Sequence, residues 1–307
     1  MSTIVITEFM DEAAVDRLHA AHDTLYDPGL ADRQDDIPAL LEDARALIVR
    51  NRTRVTARLM DAGPGLCCIG RLGVGLDNIA VPEAAIRNIT VIPATGANDD
   101  SVAEYVVTTA MMLLRGAYLS TEDVAAGSWP RQHLIGREIG GRTVGLVGFG
   151  SIARQAARRF RALGTQVIAH DPFLAADDPV WSEHRVARVA LEALLERADV
   201  VSLHVPLTDA TRNLIGAEAL ARMRDDAVLV NAARGGVVDE SALAAALRDG
   251  SLGGAALDVF AEEPLGAGSP LAGCPNLILT PHIAGVTGES NVRVSTMIAD
   301  RVLAALG

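Results

Sequence analysis

Thr143-Val144-Gly145-Leu146-Val147-Gly148-Phe149-Gly150-Ser151-Ile152-Ala153 is the stretch on which the reading of this chain turns. A short apolar strand runs without a linker into a glycine turn, and the turn opens a helical pattern over Ile152–Leu163. Gly148 allows the tight turn and Gly150 lets the backbone approach a pyrophosphate. Ala153, in the third glycine slot, lets the helix pack close to the strand. The N–H groups at the helix start, near Ser151 and Ile152, suit phosphate oxygens. A glycine pattern of this kind is weak alone, so its surroundings matter. A second strand, Gln166–Ala169, ends in His170-Asp171-Pro172. Asp171 falls roughly 20 positions after Gly148, where an acidic residue takes the ribose hydroxyls of a dinucleotide. It could also be a turn-former before Pro172, but the glycine loop upstream favours the ribose role. A carboxylate there repels a 2′-phosphate and no Arg follows closely, so NAD is expected rather than NADP.

The strand–helix alternation continues outward in both directions. Downstream, Val200–Leu203, Ala227–Val230 and Leu277–Leu279 read as strands, and Leu191–Arg197, Ala217–Met223 and Glu240–Arg248 as helices. Upstream, Ile4–Ile6, Ala46–Val49, Cys67–Gly70 and Thr90–Ile92 read as buried parallel strands. Amphipathic pieces such as Ala13–Ala20 and Val55–Met60 lie between them, which gives residues 1–97 a flavodoxin-like rhythm. Asp99–Leu119 is an apolar stretch with no breaker before Gly116. It predicts one long, largely buried helix with Asp99 or Asp100 as N-cap. A last helix, about Thr287–Leu306, is expected to pack back on the first domain. The fold expected is therefore α/β with two domains, Rossmann-like and flavodoxin-like. A nucleotide domain (98–284) is inserted into a discontinuous substrate domain (1–97), and a C-terminal helix (285–307) returns to the latter.

Composition narrows the function. The 307 residues are half apolar, enough for sizeable cores. The net charge of −12 argues against a general nucleic-acid binder. All 27 basic residues are Arg, which removes Schiff-base chemistry and a phosphate-loop lysine. Cys67, Cys68 and Cys274 form neither a disulfide framework nor a zinc spacing and are expected to be buried bystanders. No metal is expected. No leader peptide is visible, and no apolar run reaches the ~18 residues of a membrane span. A cytoplasmic protein is the expectation.

Three segments at the ends of successive strands carry the chemistry. They are Asn231-Ala232-Ala233-Arg234-Gly235-Gly236, Leu257-Asp258-Val259-Phe260-Ala261-Glu262-Glu263-Pro264 and Thr280-Pro281-His282-Ile283-Ala284-Gly285. Open α/β sheets place ligands at such carboxyl ends. Taken singly, Arg234 could be a surface residue, Glu263 a turn carboxylate and His282 a satisfied core histidine. Taken together and in this order they form a set. Histidine titrates near neutrality and can accept a hydroxyl proton. Glu263 can fix the imidazole tautomer and stabilise it once protonated. Arg234 has the donor fork for a carboxylate and can polarise a neighbouring oxygen.

With these segments the chain closely resembles the D-isomer-specific 2-hydroxyacid dehydrogenase family over nearly its whole length. Gly73-Val74-Gly75-Leu76-Asp77-Asn78, Ser101–Glu104 and His204-Val205-Pro206-Leu207-Thr208 also carry the resemblance. It implies hydride transfer between NAD and a small 2-hydroxy acid, with Arg234, Glu263 and His282 as the catalytic set. Glu at 263 points away from the formate dehydrogenase branch, which carries Gln there. The resemblance further implies cofactor contacts from His204, Val205, Pro206, Thr211, Ala232 and Gly285, with Asp258 taking the nicotinamide amide. Val205 and Pro206 could equally be plain strand packing. Asn51, Arg52, Leu72, Gly73, Val74 and Gly75 are implied on the substrate side, although a glycine-rich turn can be merely a turn. Asn98 and Glu104 are expected near the domain junction.

The segment Arg50-Asn51-Arg52-Thr53, with Arg71 nearby, is similar to an Arg-x-Arg-Thr segment of the phosphoglycerate dehydrogenase branch. It suggests a second anion on the substrate, a phosphate or sulfonate; surface charge is the alternative. Ile4–Met10 and Gly96-Ala97-Asn98 resemble (S)-sulfolactate dehydrogenases. No regulatory domain of the longer phosphoglycerate dehydrogenases is visible, so feedback by serine is not expected. Gly127-Ser128-Trp129-Pro130 resembles the family's dimer arm and implies a homodimer. The alternative function is an NAD-sensing, corepressor-like binding protein of the same fold, since fold alone does not fix function.

Overall fold

The computed structural model describes residues 3–307 of the chain. They form two compact units. One comprises the described residues through Asn98 together with Val286–Gly307, and the other Asp99–Gly285.

The first unit is built on β1 (Ile4–Ile6), β2 (Thr24–Tyr26), β3 (Ala46–Val49), β4 (Cys68–Arg71) and β5 (Thr90–Pro93). All pairings are parallel and the order is β2-β1-β3-β4-β5, the flavodoxin-like arrangement. Every residue of β1 and β3 is buried, as in a parallel strand covered on both faces. β2 has no counterpart in the sequence pattern: three residues with fading burial carry too little of it. β4 sits one residue later than expected, which leaves Cys67 outside it and half-buried. Only Cys68 is a buried cysteine; Cys274 is half-buried and all three are free. The helix predicted at Val55–Met60 runs over Ala57–Asp61, capped by Thr56.

The C-terminal helix, Gly288–Leu306, belongs to this unit. Thr287 and Ser290 close a reciprocal capping box at its start. Its inner face (Val294, Ile298, Ala299, Val302, Leu306) packs with Ile4, Ile6, Ile48 and Cys68. Gly70 on β4 makes room for it, since a Cβ there would lie 2.8 Å from Ile298 Cγ2.

The second unit holds β6 (Thr143–Val147), β7 (Gln166–His170), β8 (Ala187–Arg188), β9 (Val200–Leu203), β10 (Val228–Asn231), β11 (Gly254–Leu257) and β12 (Leu277–Leu279). The order β12-β11-β10-β9-β6-β7-β8, parallel throughout, is the Rossmann arrangement extended by one strand. The long helix spans Asp99–Arg115, shorter than the sequence suggests. Gly116, at φ +60, ends it as a left-handed C-terminal glycine, and Ala117–Ser120 forms a separate 3-10 turn. Asp99 and Asp100 are not the N-cap: they lie in the first turn, where carboxylates favour the helix dipole. Val102, Val106, Ala110 and Leu113 pack with Phe149 and Phe160. Three elements without a clear sequence signal appear here, the helices Thr121–Ala125 and Pro179–His184 and β8. No helix of the described residues is long and apolar enough to cross a membrane, and no metal-binding cluster occurs among them.

Candidate active site

Connections leave β6 and β9 in opposite directions, so the carboxyl ends of these neighbours open a crevice. Gly148, just past β6, has φ +88, and a Cβ on it would lie 2.4 Å from His204 O. The dihedral and the close approach both require glycine. Its N–H donates to His170 O while His204 N–H donates to Val147 O, which pins the turn on both flanks. Gly150 is exposed, with no atom within 4 Å of an added Cβ. The helix Ser151–Ala162 begins there with no side-chain cap, so its first-turn N–H groups are available to an anion. Ser151 is exposed, Ile152 half-buried and Ala153 fully buried against the core. Asp171 follows β7 directly. Its Oδ2 accepts from Phe149 N–H (2.9 Å) and its Oδ1 from Phe173 N–H (2.9 Å), so the carboxylate is held against the glycine turn.

After β9, His204 places its Nε2 3.0 Å from Ser202 Oγ. Burial pushes its imidazole down to about 4, so it is uncharged at neutral pH. Val205 is half-buried and Pro206 exposed beside it. Thr211 turns inward: its hydroxyl donates to Pro206 O (2.6 Å) and accepts from Thr208 N–H (2.7 Å), shaping the 206–211 loop. The glycine cradle, the uncapped helix start, the tethered carboxylate and the uncharged wall together fit a dinucleotide.

The adjacent strands β10, β11 and β12 carry the remaining polar residues at their carboxyl ends. Asn231, buried at the end of β10, donates through Nδ2 to Arg234 O (2.9 Å) and accepts Ala233 N–H at Oδ1 (3.1 Å). This clamps the Ala232–Arg234 loop, and the half-buried Arg234 donates to Ala233 O (2.6 Å). Gly235 comes next. A Cβ there would fall 1.7 Å from Phe260 O, so the two loops meet only because the residue is glycine. In the facing loop, Glu263 Oε1 accepts from Phe260 N–H (3.1 Å) and Oε2 lies 2.7 Å from His282 Nδ1. A carboxylate only accepts, so Nδ1 carries the proton and Nε2 of the neutral ring is the free base. The His282 side chain is 42% exposed and can reach a substrate.

His282 has φ +57, a sparsely populated conformation for a residue with a Cβ. Its N–H donates to Asp258 O (2.9 Å) and Thr280 O (3.0 Å). The Asp258 carboxylate, 1% exposed, accepts from Thr280 Oγ1 (2.6 Å), Ile283 N–H (2.8 Å) and Ala284 N–H (2.8 Å). The sequence points Asp258 at the nicotinamide amide; in the structure its carboxylate organises the His282 loop. Gly285, half-buried, closes this unit.

In the first unit, Arg50-Asn51-Arg52-Thr53 follows β3. Glu8, 4% exposed, turns its carboxylate into this loop and accepts the N–H groups of Arg50 (2.8 Å), Asn51 (3.2 Å), Arg52 (3.0 Å) and Thr53 (2.9 Å). Asn78 grips the carbonyls, donating to Arg50 O (3.3 Å) and Thr53 O (2.7 Å). The arginines part here. Arg50, half-buried, donates to Asn291 Oδ1 (2.8 Å) and stands 6.0 Å from the Phe9 ring centre. Arg52 is exposed and its guanidinium pairs with Asp32. With the loop amides turned to Glu8, Asn51 and Arg52 have only side-chain donors to offer an anion. Leu72 is buried, and Gly73, Val74 and Gly75 form the turn after β4. A Cβ on Gly73, at φ +153, would lie 1.5 Å from Arg71 Nη1, and that group donates to Leu72 O (3.1 Å). Arg71 is thus folded over the turn.

Glu8 and Asn78 in the first unit, and Tyr105, Asn231 and Thr280 in the second, take up their supporting positions only in the folded chain, and the sequence does not mark them as site residues. Glu8 has a usable signal, a carboxylate two residues past a buried strand. Asn98 ends the first unit's main segment. Glu104 joins Asp100 in pairing with Arg159 (3.3 and 2.7 Å) within the second unit.

Residues 107–284 match the family model described as D-isomer specific 2-hydroxyacid dehydrogenase, NAD binding domain. An (S)-sulfolactate dehydrogenase of Chromohalobacter salexigens is 57% identical over 308 residues, covering 100% of this chain and 99% of that protein. A D-3-phosphoglycerate dehydrogenase of Synechocystis is 36% identical over 302 residues, 98% of this chain and 54% of that one. Among solved structures, the TT0316 protein from Thermus thermophilus superposes with a TM-score of 0.88 at 33% identity, over 99% of this chain and 96% of the other.

Proposed function

The chain belongs to the D-isomer specific 2-hydroxyacid dehydrogenase family and is an NAD-dependent oxidoreductase of small 2-hydroxy acids, and from that premise we propose that its substrate carries a second anionic group at C3, with 3-sulfolactate ahead of 3-phosphoglycerate. The observation that carries this reading is the full-length likeness to an (S)-sulfolactate dehydrogenase, which extends through the first unit as well as the nucleotide fold.

In the oxidising direction NAD supplies the hydride acceptor; the protein must manage the proton and the charges. His282 Nε2 takes the C2 hydroxyl proton while Glu263 holds Nδ1–H and balances the imidazolium. Arg234 holds the substrate carboxylate and polarises the C2 oxygen. Gly148 shapes the turn from which Gly150, Ser151 and Ile152 would hold the pyrophosphate, and Asp171 would hold the ribose. His204, Val205 and Pro206 line the adenine side, and Ala232 and Gly285 offer backbone contacts. Thr211 and Asp258 act through the loops they shape. From the first unit, Val74 and Gly75 serve the carboxylate through their N–H groups, while Leu72 and Gly73, whose N–H groups donate to Val49 O (2.8 Å) and Arg71 O (2.7 Å), shape the turn. The second anion falls to Arg50 and Arg71 more than to Asn51 or to Arg52, which Asp32 engages.

The test is kcat/KM for sulfopyruvate, phosphohydroxypyruvate, hydroxypyruvate, glyoxylate and pyruvate, each with NADH and with NADPH. A charge-assisted hydrogen bond contributes about 1.5–3 kcal/mol, so two should favour the dianions by roughly 10²–10⁴-fold. NADH should outperform NADPH because of Asp171. Pyruvate or glyoxylate matching the dianions would defeat the second anion while the dehydrogenase stands; parity of NADPH would defeat the ribose assignment.

The protein is further proposed to be a cytoplasmic homodimer joined through the second unit. Support comes from exposed apolar side chains past the long helix: Leu119 (47%), Val124 (45%), Trp129 (74%) and Ile135 (75%). Light scattering at micromolar concentration should give the dimer mass; a monomer mass would end this reading.

A further inference from the structure

We propose that Tyr105 and Thr280 are positioning residues for His282, forming with Asp258 a hydrogen-bonded chain that ties the base to the middle of the long helix Asp99–Arg115. The inference rests on His282 being the base, as argued above. Tyr105 Oη lies 2.6 Å from Thr280 Oγ1, and Thr280 Oγ1 lies 2.6 Å from Asp258 Oδ1. The direction of the chain follows from valence. A carboxylate has no proton to give, so Thr280 donates its single hydroxyl proton to Asp258. Thr280 Oγ1 is then an acceptor toward Tyr105, and the phenol must donate. Burial supports that state by pushing the Tyr105 hydroxyl up to about 12.

The chain frames His282 on both sides. Asp258 takes Thr280 two residues before it and the N–H groups of Ile283 and Ala284 just after it, while its carbonyl takes the His282 N–H. The residue so framed holds the left-handed backbone at φ +57, which neighbours must enforce because a side chain disfavours it. Glu263 orients the ring, but it acts only at Nδ1 and cannot fix the backbone from which the ring projects. The anchor is firm: Val102, Val106 and Ala110, flanking Tyr105 on its helix, are buried in the second unit's core, and all four groups belong to that unit.

Tyr105→Phe and Thr280→Val separate positioning from stability, with Thr280→Ser as the variant that restores the hydroxyl. The readouts are kcat at 25 °C, the NADH dissociation constant, the solvent isotope effect on kcat and the Tm. Tyr105→Phe removes one hydrogen bond and should lower kcat roughly 2–10-fold. Thr280→Val leaves two groups without their partner and should lower it by roughly 10²-fold, while Thr280→Ser stays within about threefold of the wild type. In both impaired variants the solvent isotope effect should rise, because proton transfer becomes more rate-limiting, and NADH affinity should hold. Unchanged kcat and isotope effect with only a lower Tm would show the chain to be structural and overturn the proposal. His282→Ala, run alongside, reports separately on the underlying reading: if that variant keeps its activity, the base is misassigned.

Discussion

His282→Ala is expected to lower kcat by about 10²–10⁴-fold, the usual contribution of a positioned general acid–base, while NADH binding stays close to that of the wild type. The asymmetry follows from where the groups sit. His282 and Glu263 stand past β12 and β11, at one side of the sheet, and their direct contact is with each other at 2.7 Å. The dinucleotide features, Gly148, the helix start at Ser151 and Asp171, stand past β6 and β7 and are held by Phe149, Phe173, His170 and His204. Removing the imidazole touches none of those hydrogen bonds. It does release Glu263 Oε2 from its partner, but Glu263 is one-third exposed, so water can take over that acceptor. The measurement pairs steady-state kcat with NADH titration by fluorescence. Turnover equal to the wild type would remove His282 from the mechanism.

Much of this arrangement could be read in the sequence because its signals are local. Parallel strands buried on both faces are near-continuous apolar runs, which is why Ile4–Ile6, Ala46–Val49, Thr143–Val147 and Val200–Leu203 coincide with their strands. Polar residues directly past such runs then mark the ligand-facing edge, and Arg234, Glu263 and His282 stand there. What the sequence hides is pairing at long range. Nothing near Arg52 announces that Asp32 engages its guanidinium, and nothing near Arg50 announces that Asn291 accepts from its guanidinium. Those partners separate two arginines that the motif presents as equals. Asp258 differs in kind: its position is visible in the sequence, but its three donors arrive from residues 280–284, so its task is set by tertiary structure. The left-handed backbone of His282 has no local signal either, since neither Pro281 nor Ile283 requires it.

Gly235→Ala is expected to be among the most damaging single-methyl changes in the protein. The added Cβ would stand 1.7 Å from Phe260 O, 2.1 Å from Phe260 C and 2.8 Å from Ala261 N. All three are backbone atoms, so no rotamer change relieves the clash, and one of the two loops must move. Each is anchored. Asn231 holds the Arg234 loop through Arg234 O and Ala233 N–H, and Glu240 Oε1 holds Ala261 N–H (2.7 Å) in the other. Moving either loop separates Arg234 from the Glu263–His282 pair. Overpacking against a side that cannot yield costs about 3 kcal/mol or more. At roughly 2–4 °C per kcal/mol for a unit of this size, the Tm should fall by about 6–12 °C. Misplacement of catalytic groups by an ångström should cost at least about 10²-fold in kcat/KM. Gly236→Ala is the control that isolates the cause. Gly236 has φ +76, so alanine there meets left-handed strain of about 1–2 kcal/mol, but the nearest atom to its Cβ belongs to the flexible Leu207 side chain, at 3.5 Å. It should lose less stability and much less activity than Gly235→Ala. Wild-type kcat/KM and Tm in Gly235→Ala would mean that the loops do not touch as described, and the shared backing of Arg234 and Glu263 would have to be abandoned.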